Sequence, residues 1–254
     1  MTISREQWNN YITMLRKISD KAANEVVTWL NINGGDNLLD MARDSEGRNL
    51  VDVSYLVAQK YGNASASVAE QMCEAIATLS GVPFTPADLA ELPTYGDVAK
   101  TVYGTLKTSQ NHEEISSAVG RLVKRTGDRT TQKFARNTRA EYAWIPNGDT
   151  CAFCIMLASR GWEKQRNTVE HLHSNCDCTY AIRYNKDTSY AGYDPEEYYK
   201  QYSEAEGRTT EQKLNSMRRK YYAENQELIL AQKADAYAKR QELNASSAEE
   251  LNIQ

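Results

Sequence analysis

Four of the five cysteines and two of the three histidines lie between Cys151 and Cys178. The segment opens with Cys151-x-x-Cys154 and closes with His171-x-His173-x-x-Cys176-x-Cys178. Thiolates and imidazoles at such spacings suit one tetrahedral zinc ion, which takes four ligands. Cys151 and Cys154 form one tight half-site. The other half must come from His171, His173, Cys176 and Cys178. A Cys-x-Cys pair on extended backbone points both side chains to one face, several ångströms apart. Asn175 and Asp177 supply turn residues that would let the chain bend there. The preferred set is Cys151, Cys154, His173 and Cys176, with Cys178 the substitute for either of the last two. The expected cofactor is a structural Zn2+.

Other chemistries compete for these residues. The thiols could be packing residues or form disulfides. A thioredoxin-type CxxC needs a βαβ context, which the helical upstream sequence does not supply. A cysteine nucleophile at Cys151 or Cys154 with His171 or His173 as base is a further rival. No orienting Asn or oxyanion loop is evident, so no catalytic residue is assigned.

The elements that must position this segment are mostly helical. Trp8, Ile12, Leu15, Ile18, Ala22, Val26 and Leu30 recur at three- and four-residue steps, giving an amphipathic helix. Asn33-Gly34-Gly35 stops it, with Asp36 a candidate N-cap for the next. A second long pattern runs from about Leu50 to Leu79, with a kink or break expected near Gly62. Residues 82–97 carry three of the five prolines and read as a short helix between turns, with Thr85 capping and Pro86 following. Asp97–Thr108, capped by Asp97, and Asn111–Ala140 read as two more helices, the latter weakened by Gly127. Ile145–Asp149 is turn chemistry. Cys151–Ser159 is a short helix ended by Gly161, and Cys178–Tyr184 alternates as a strand. Asp194-Pro195 starts another helix. Thr209 to about Leu243 is a long final helix with a thin apolar face of Leu214, Met217, Tyr221 and Leu228, and the last residues form a loose tail. The expected fold class is mainly α with a small α+β Cys/His-rich module and long helices at both ends. The expected division is a helical region over 1–140, the module over 141–205, and a helix and tail over 206–254.

The formal net charge of −4 does not suggest a bulk nucleic-acid binder. No signal peptide or membrane span is read. Tyr (16) far outnumbers Phe (3), and Tyr suits interfaces because it joins a large apolar ring to a polar tip. Cys73, isolated in a helical pattern, reads as a small buried apolar residue.

From Trp144 through Cys151, Cys154 and Gly161 the sequence resembles the signature of tailed-phage minor head proteins of the Mu-F-like head morphogenesis family. His173-Ser-Asn-Cys176-Asp-Cys178 resembles that family's ending, with Ser174 where the family usually has proline. Tyr193–Glu196 resembles its continuation. The resemblance covers about Glu141 to Tyr202. It implies a structural minor capsid protein of the virion, at the capsid interior or portal vertex, assembled in the host cytoplasm. The implied partners are the portal protein and the major capsid protein. The alternative is a capsid maturation protease, a label some relatives carry, or another thiol enzyme. A docking helix is sought in the weakly amphipathic C-terminal helix and in the N-terminal half, where Trp8 and several tyrosines are anchor types.

Arg121, Arg125, Arg129, Lys133, Arg136 and Arg139 recur at three- and four-residue steps. On one helix they fall within about 120° of each other. The bland expectation is a solvated face. The functional one is contact with packaged DNA or with an acidic face of the portal. A break at Gly127 would scatter the stripe.

Overall fold

The computed structural model describes residues 1–33, 38–43, 49–86, 91–109, 111–147, 150–164, 178–231 and 234. Its elements in chain order are β1 (Thr2–Ile3), α1 (Arg5–Asn33), α2 (Leu38–Arg43), α3 (Leu50–Leu79), α4 (Tyr95–Leu106) and α5 (His112–Thr138). They are followed by β2 (Glu141–Ile145), α6 (Ala152–Ala158), β3 (Thr179–Arg183), β4 (Ser189–Tyr190), α7 (Pro195–Ser203) and α8 (Thr210–Glu224). The molecule is mainly α with a small α+β part, and no helix among the described residues is long and apolar enough to cross a membrane.

α1 buries Trp8, Ile12, Leu15, Ala22, Val26 and Leu30, the stripe its periodicity predicts, with Ile18 half-buried. α1 and α3 both pack on α5, which is therefore surrounded. This explains why α5 buries Lys124, Thr126, Asp128, Thr130, Thr131 and Gln132 beside its apolar residues. The expected break at Gly127 does not occur, and neither does the one at Gly62, because both glycines serve close approach. A Cβ on Gly127 would lie 2.7 Å from the Ser65 hydroxyl oxygen, and one on Gly62 would lie 3.2 Å from Leu92. Gly120 is tighter still against backbone, with a Cβ there 2.9 Å from the Ser19 carbonyl oxygen. The helical weakness of glycine is traded for short interhelical distances.

Caps fix the helix starts. Asn49 and Asp52 form a capping box on α3, and Thr94 with Asp97 forms one on α4. Thr94, not Asp97, is thus the N-cap: Asp97 accepts from the Thr94 N–H at 3.0 Å, which with the Thr94 hydroxyl holds its carboxyl below the ordinary value. Asp194 caps α7 with Pro195 in the first turn, as read from sequence, and Asn111, read as the first residue of its helix, is the N-cap of α5. The capping expectation at Asp36, residues 87–90 of the short helix expected between turns, and the C-terminal tail lie outside the described residues. The final helix is not continuous: α8 ends at a C-cap on Asn225, and helix resumes over 226–231.

Two apolar clusters form the core. One joins α1, α3, α4 and α5 around Val26, Leu30, Leu50, Val98, Val102, Ile115 and Val119. The other joins the N-terminal turns of α1 and the ends of α3 and α5 to the strands and α6, around Trp8, Leu15, Ile76, Phe134, Trp144, Ile182 and Tyr190. β2 and β3 pair antiparallel, a wide hairpin with α6 in its connection, with Glu141 opposite Arg183 and Ile145 opposite Thr179. β1 lies parallel to β4, with Thr2 opposite Ser189, so the start of the chain docks on the late module.

Much of the tyrosine excess is spent inside. Tyr190 donates its hydroxyl to the Ile182 carbonyl at 2.8 Å, Tyr193 to Ala158 at 3.0 Å, and Tyr103 to Ala42 at 2.7 Å. Such a ring packs in the core while its tip satisfies a carbonyl on another element. Burial pushes the hydroxyls of Tyr11, Tyr180, Tyr184, Tyr190 and Tyr193 well above their ordinary range. The unfolded chain ionises its tyrosines near pH 10, whereas these stay protonated in the fold. Their contribution to stability is therefore complete below about pH 10 and falls as pH rises. Each of the fully buried Tyr11 and Tyr190 steepens that fall by about 1.4 kcal/mol per pH unit. In an alkaline titration, phenolate absorbance from these residues should appear together with loss of helical circular dichroism. Full tyrosinate absorbance at intact helicity would contradict their burial.

Candidate functional site

The described cysteines of the segment, Cys151, Cys154 and Cys178, lie near one end of the β2–β3 pair. β2 ends at Ile145, whose partner across the strands is Thr179, so Cys178 lies just past the end of the pairing. Further along the chain from Ile145, Cys151 is the N-cap of α6. The Cys151 sulfur accepts the Cys154 N–H at 3.5 Å, a sulfur cap that draws the two cysteines of the CxxC together. Cys154 and Cys178 are buried and Cys151 is half-buried. Gly161, at φ 69, turns the chain after α6 as expected. Glu163 then pairs through its backbone with Tyr142 on the free edge of β2.

His171, His173 and Cys176 lie outside the described residues. Among the described residues no three His, Cys, Asp or Glu side chains come together as metal ligands, so Cys151, Cys154 and Cys178 do not by themselves form a site.

One residue that sequence reasoning missed ties this module to the bundle. Asp128 on α5 is 4% exposed. Its Oδ1 accepts from the Thr179 hydroxyl and, at 3.4 Å, from the Tyr180 N–H. The same polar pocket holds Tyr11, Thr131 and Cys73 beside one another, and Gln132 beside Tyr180. The Asp128 charge adds to burial in raising both tyrosines. The available signal was local: a short acid in a helix interior, set among Thr126, Thr130 and Thr131, all poor helix formers. Such residues persist inside a helix where tertiary contacts use them. On the hairpin's edge, Arg183 pairs with Glu141 at 2.6 Å and stacks over Trp162 at 4.6 Å.

The basic stripe survives from Arg121 to Arg136, because α5 runs unbroken through Gly127, and Arg139 is the left-handed C-cap just past the helix. It is not a uniformly solvated face. Arg121, Arg125, Arg129 and Lys133 are half-buried, and only Arg136 and Arg139 are exposed. Burial lowers the Arg121 pKa against the opposing effect of Glu114. Burial and the Arg129 charge lower that of Arg125 against Asp97. Trp8 departs from its expected place on a docking surface: it is 2% exposed and packs edge-on to Tyr190. Beside it, α1 and α3 leave an apolar groove of about 280 Å³ that includes Met14, Val68, Met72 and Leu79. The C-terminal arm presents Tyr199, Tyr221, Tyr222, Leu228 and Leu230 to solvent, and α8 buries only Leu214.

No curated protein and no solved structure matches this chain. A sequence profile of one family, described as VG15 protein, matches residues 2–205. The match reaches from β1 through α7, so it takes in the helical bundle, the Cys/His segment and the hairpin together. It identifies a phage protein, a coarser statement than the Mu-F-like kinship the motif suggests. The chain thus belongs to the VG15 protein family of phages.

Proposed function

We propose that this phage protein is a structural minor head protein that docks on the portal or the inner capsid surface through helices, and that it is not an enzyme. The observation that carries this reading is the C-terminal arm. α7 buries no residue and α8 only Leu214, while Tyr199, Tyr221, Tyr222, Leu228 and Leu230 stay exposed. Tyrosine and leucine on a helix with so little intramolecular packing are suited to a partner surface. The groove beside Met14 and Leu79 is a second apolar surface of the same kind. The resemblance of residues 141–202 to Mu-F-like head morphogenesis proteins supports the same role.

Within this role the CxxC is a structural half-site. Cys151 and Cys154 would hold a zinc ion together with His173 and Cys176, and the metal would close the loop between α6 and β3. The N–H donated to the Cys151 sulfur fits a thiolate, since such a bond stabilises charge on sulfur. Against Cys154 as a protease nucleophile stands its burial, whereas Cys151 is half-buried. Purified heads should contain the chain in few copies relative to the major capsid protein. Cys151→Ser and Cys154→Ser should leave the size of that capsid protein unchanged. Loss of capsid-protein cleavage in a variant that still folds would make the protease alternative the better one.

A further inference from the structure

We propose that the exposed C-terminal end of α5, Arg136 and Arg139 with Lys133 behind them, contacts the phosphodiester backbone of duplex nucleic acid. The first support is conformational. Arg139 sits at φ 55 and ψ 23, the only non-glycine residue at positive φ among the described residues. At its other left-handed positions, Gly81, Gly161, Gly192 and Gly207, this chain uses glycine. Glycine is also the residue that helix C-termini favour there. An arginine held in that conformation is strained, and strain at an exposed site points to a side chain that is used.

The second support is chemical. Residues 136–139 form an exposed run of Arg136, Asn137, Thr138 and Arg139. Arg136, Asn137 and Arg139 are types that donate to phosphate, guanidinium in a two-pronged fork, while the Thr138 hydroxyl is already donated to the Phe134 carbonyl at 2.6 Å. None is aromatic, so the stacking platform that single strands require is missing from this run. The carboxylates flanking this run in sequence are engaged elsewhere: Glu141 pairs with Arg183 at 2.6 Å, and Asp128 is buried under Thr179 and Tyr180. Residues 133–139 carry three cations and no carboxylate, in a chain whose formal net charge is −4. A helix C-terminus also favours cations through its dipole, which would explain Arg136 and Arg139 without a ligand. That explanation does not require Arg139 to adopt a strained backbone.

The test is fluorescence anisotropy of the full chain with a labelled, random-sequence DNA duplex over a series of salt concentrations. Binding is expected with Kd of about 10⁻⁴–10⁻⁶ M at physiological salt and with log affinity falling linearly against log salt. The pair Arg136→Gln and Arg139→Gln should flatten that slope by about 1.8, at roughly 0.9 per lost phosphate contact. Arg121→Gln with Arg125→Gln, set back in the half-buried stretch, should change it little. Arg139→Gly alone should move two readouts in opposite directions, weakening duplex binding severalfold while raising the melting midpoint by about 2–4 °C. No binding even at low salt overturns the proposal. So does equal loss from both arginine pairs, a stabilised Arg139→Gly that binds as before, or a polyglutamate chain that binds as tightly as the duplex. None of these outcomes bears on docking to a portal or capsid, which the proposal does not require.

Discussion

Asp128→Ala is expected to lower the unfolding free energy by about 3 kcal/mol, the largest effect of any single polar substitution in the bundle. The carboxylate is buried in α5 and is the acceptor for the Thr179 hydroxyl and the Tyr180 N–H. Its removal strands two donors away from water, at about 1–3 kcal/mol for each unsatisfied group. Because β3 begins at Thr179, the loss falls where the hairpin meets the bundle. Thr179→Val alone should cost less, since Asp128 keeps the Tyr180 N–H. The two substitutions together should cost clearly less than their sum, because each removes the same bond. Chemical denaturation of the four proteins measures this. Additive effects would mean that the pair does not couple, and that the hairpin is held by its apolar contacts alone.

The second large effect is expected on removing zinc. As proposed, purified chain carries about one zinc ion, and Cys151→Ser or Cys154→Ser releases it. Structural zinc in small modules contributes apparent folding free energies of about 10–16 kcal/mol in peptides. Here the loss should be smaller, because the hairpin and α6 share an apolar cluster with α1, α3 and α5 that persists without metal. A chelator should therefore loosen the module before the bundle melts. Protease cleavage between α6 and β3 should appear at intact helical circular dichroism. Elemental analysis of freshly reduced protein decides the matter. Full folding, unchanged protease resistance and no bound metal would leave Cys151 and Cys154 as packing residues.

These expectations rest on features of unequal visibility in the chain. The stripe of α1 was legible because a long helix with one buried face writes that face at three- and four-residue steps, from Trp8 to Leu30. The cap at Asp194 and the helix start at Asn111 were legible because helix initiation is local chemistry. The strand at Thr179–Arg183 showed as an alternation, whereas its partner Glu141–Ile145 did not. Burial does not separate the two, because Tyr142–Ile145 and Thr179–Ile182 are equally buried. Gly62 and Gly127 misled because propensity assigns glycine a local cost, and only the packed bundle shows the close approach that repays it. The cap of α4 was read about one turn late, at Asp97, because Thr94 and Asp97 cap reciprocally and either can be read as the cap. In the candidate site, the cysteine spacing and the basic stripe were readable by residue type. Their burial was not, because the neighbours that half-bury Arg121 and Arg125 come from distant sequence. Asp128 was illegible as a site residue for the same reason, its partners lying fifty or so residues downstream at Thr179 and Tyr180. The tyrosines are the instructive error of proportion. Their number pointed to interfaces, yet Tyr142, Tyr180 and Tyr190 are core. Only a subset, Tyr199, Tyr221 and Tyr222 among them, remains for a partner.

That subset defines the most direct measurement of the proposed role. The chain should be co-expressed with the portal protein of the same phage and the mixture resolved by size-exclusion chromatography in moderate salt. The wild-type chain is expected to co-elute with the portal, because an apolar helix interface resists screening. A variant carrying Tyr221→Ser, Tyr222→Ser, Leu228→Ser and Leu230→Ser alters only exposed side chains, so it should fold as before and elute alone. Co-elution that disappears with salt would move the interface from the C-terminal arm to the basic end of α5. A chain that remains a folded monomer in the presence of both portal and major capsid protein would contradict a role in head assembly.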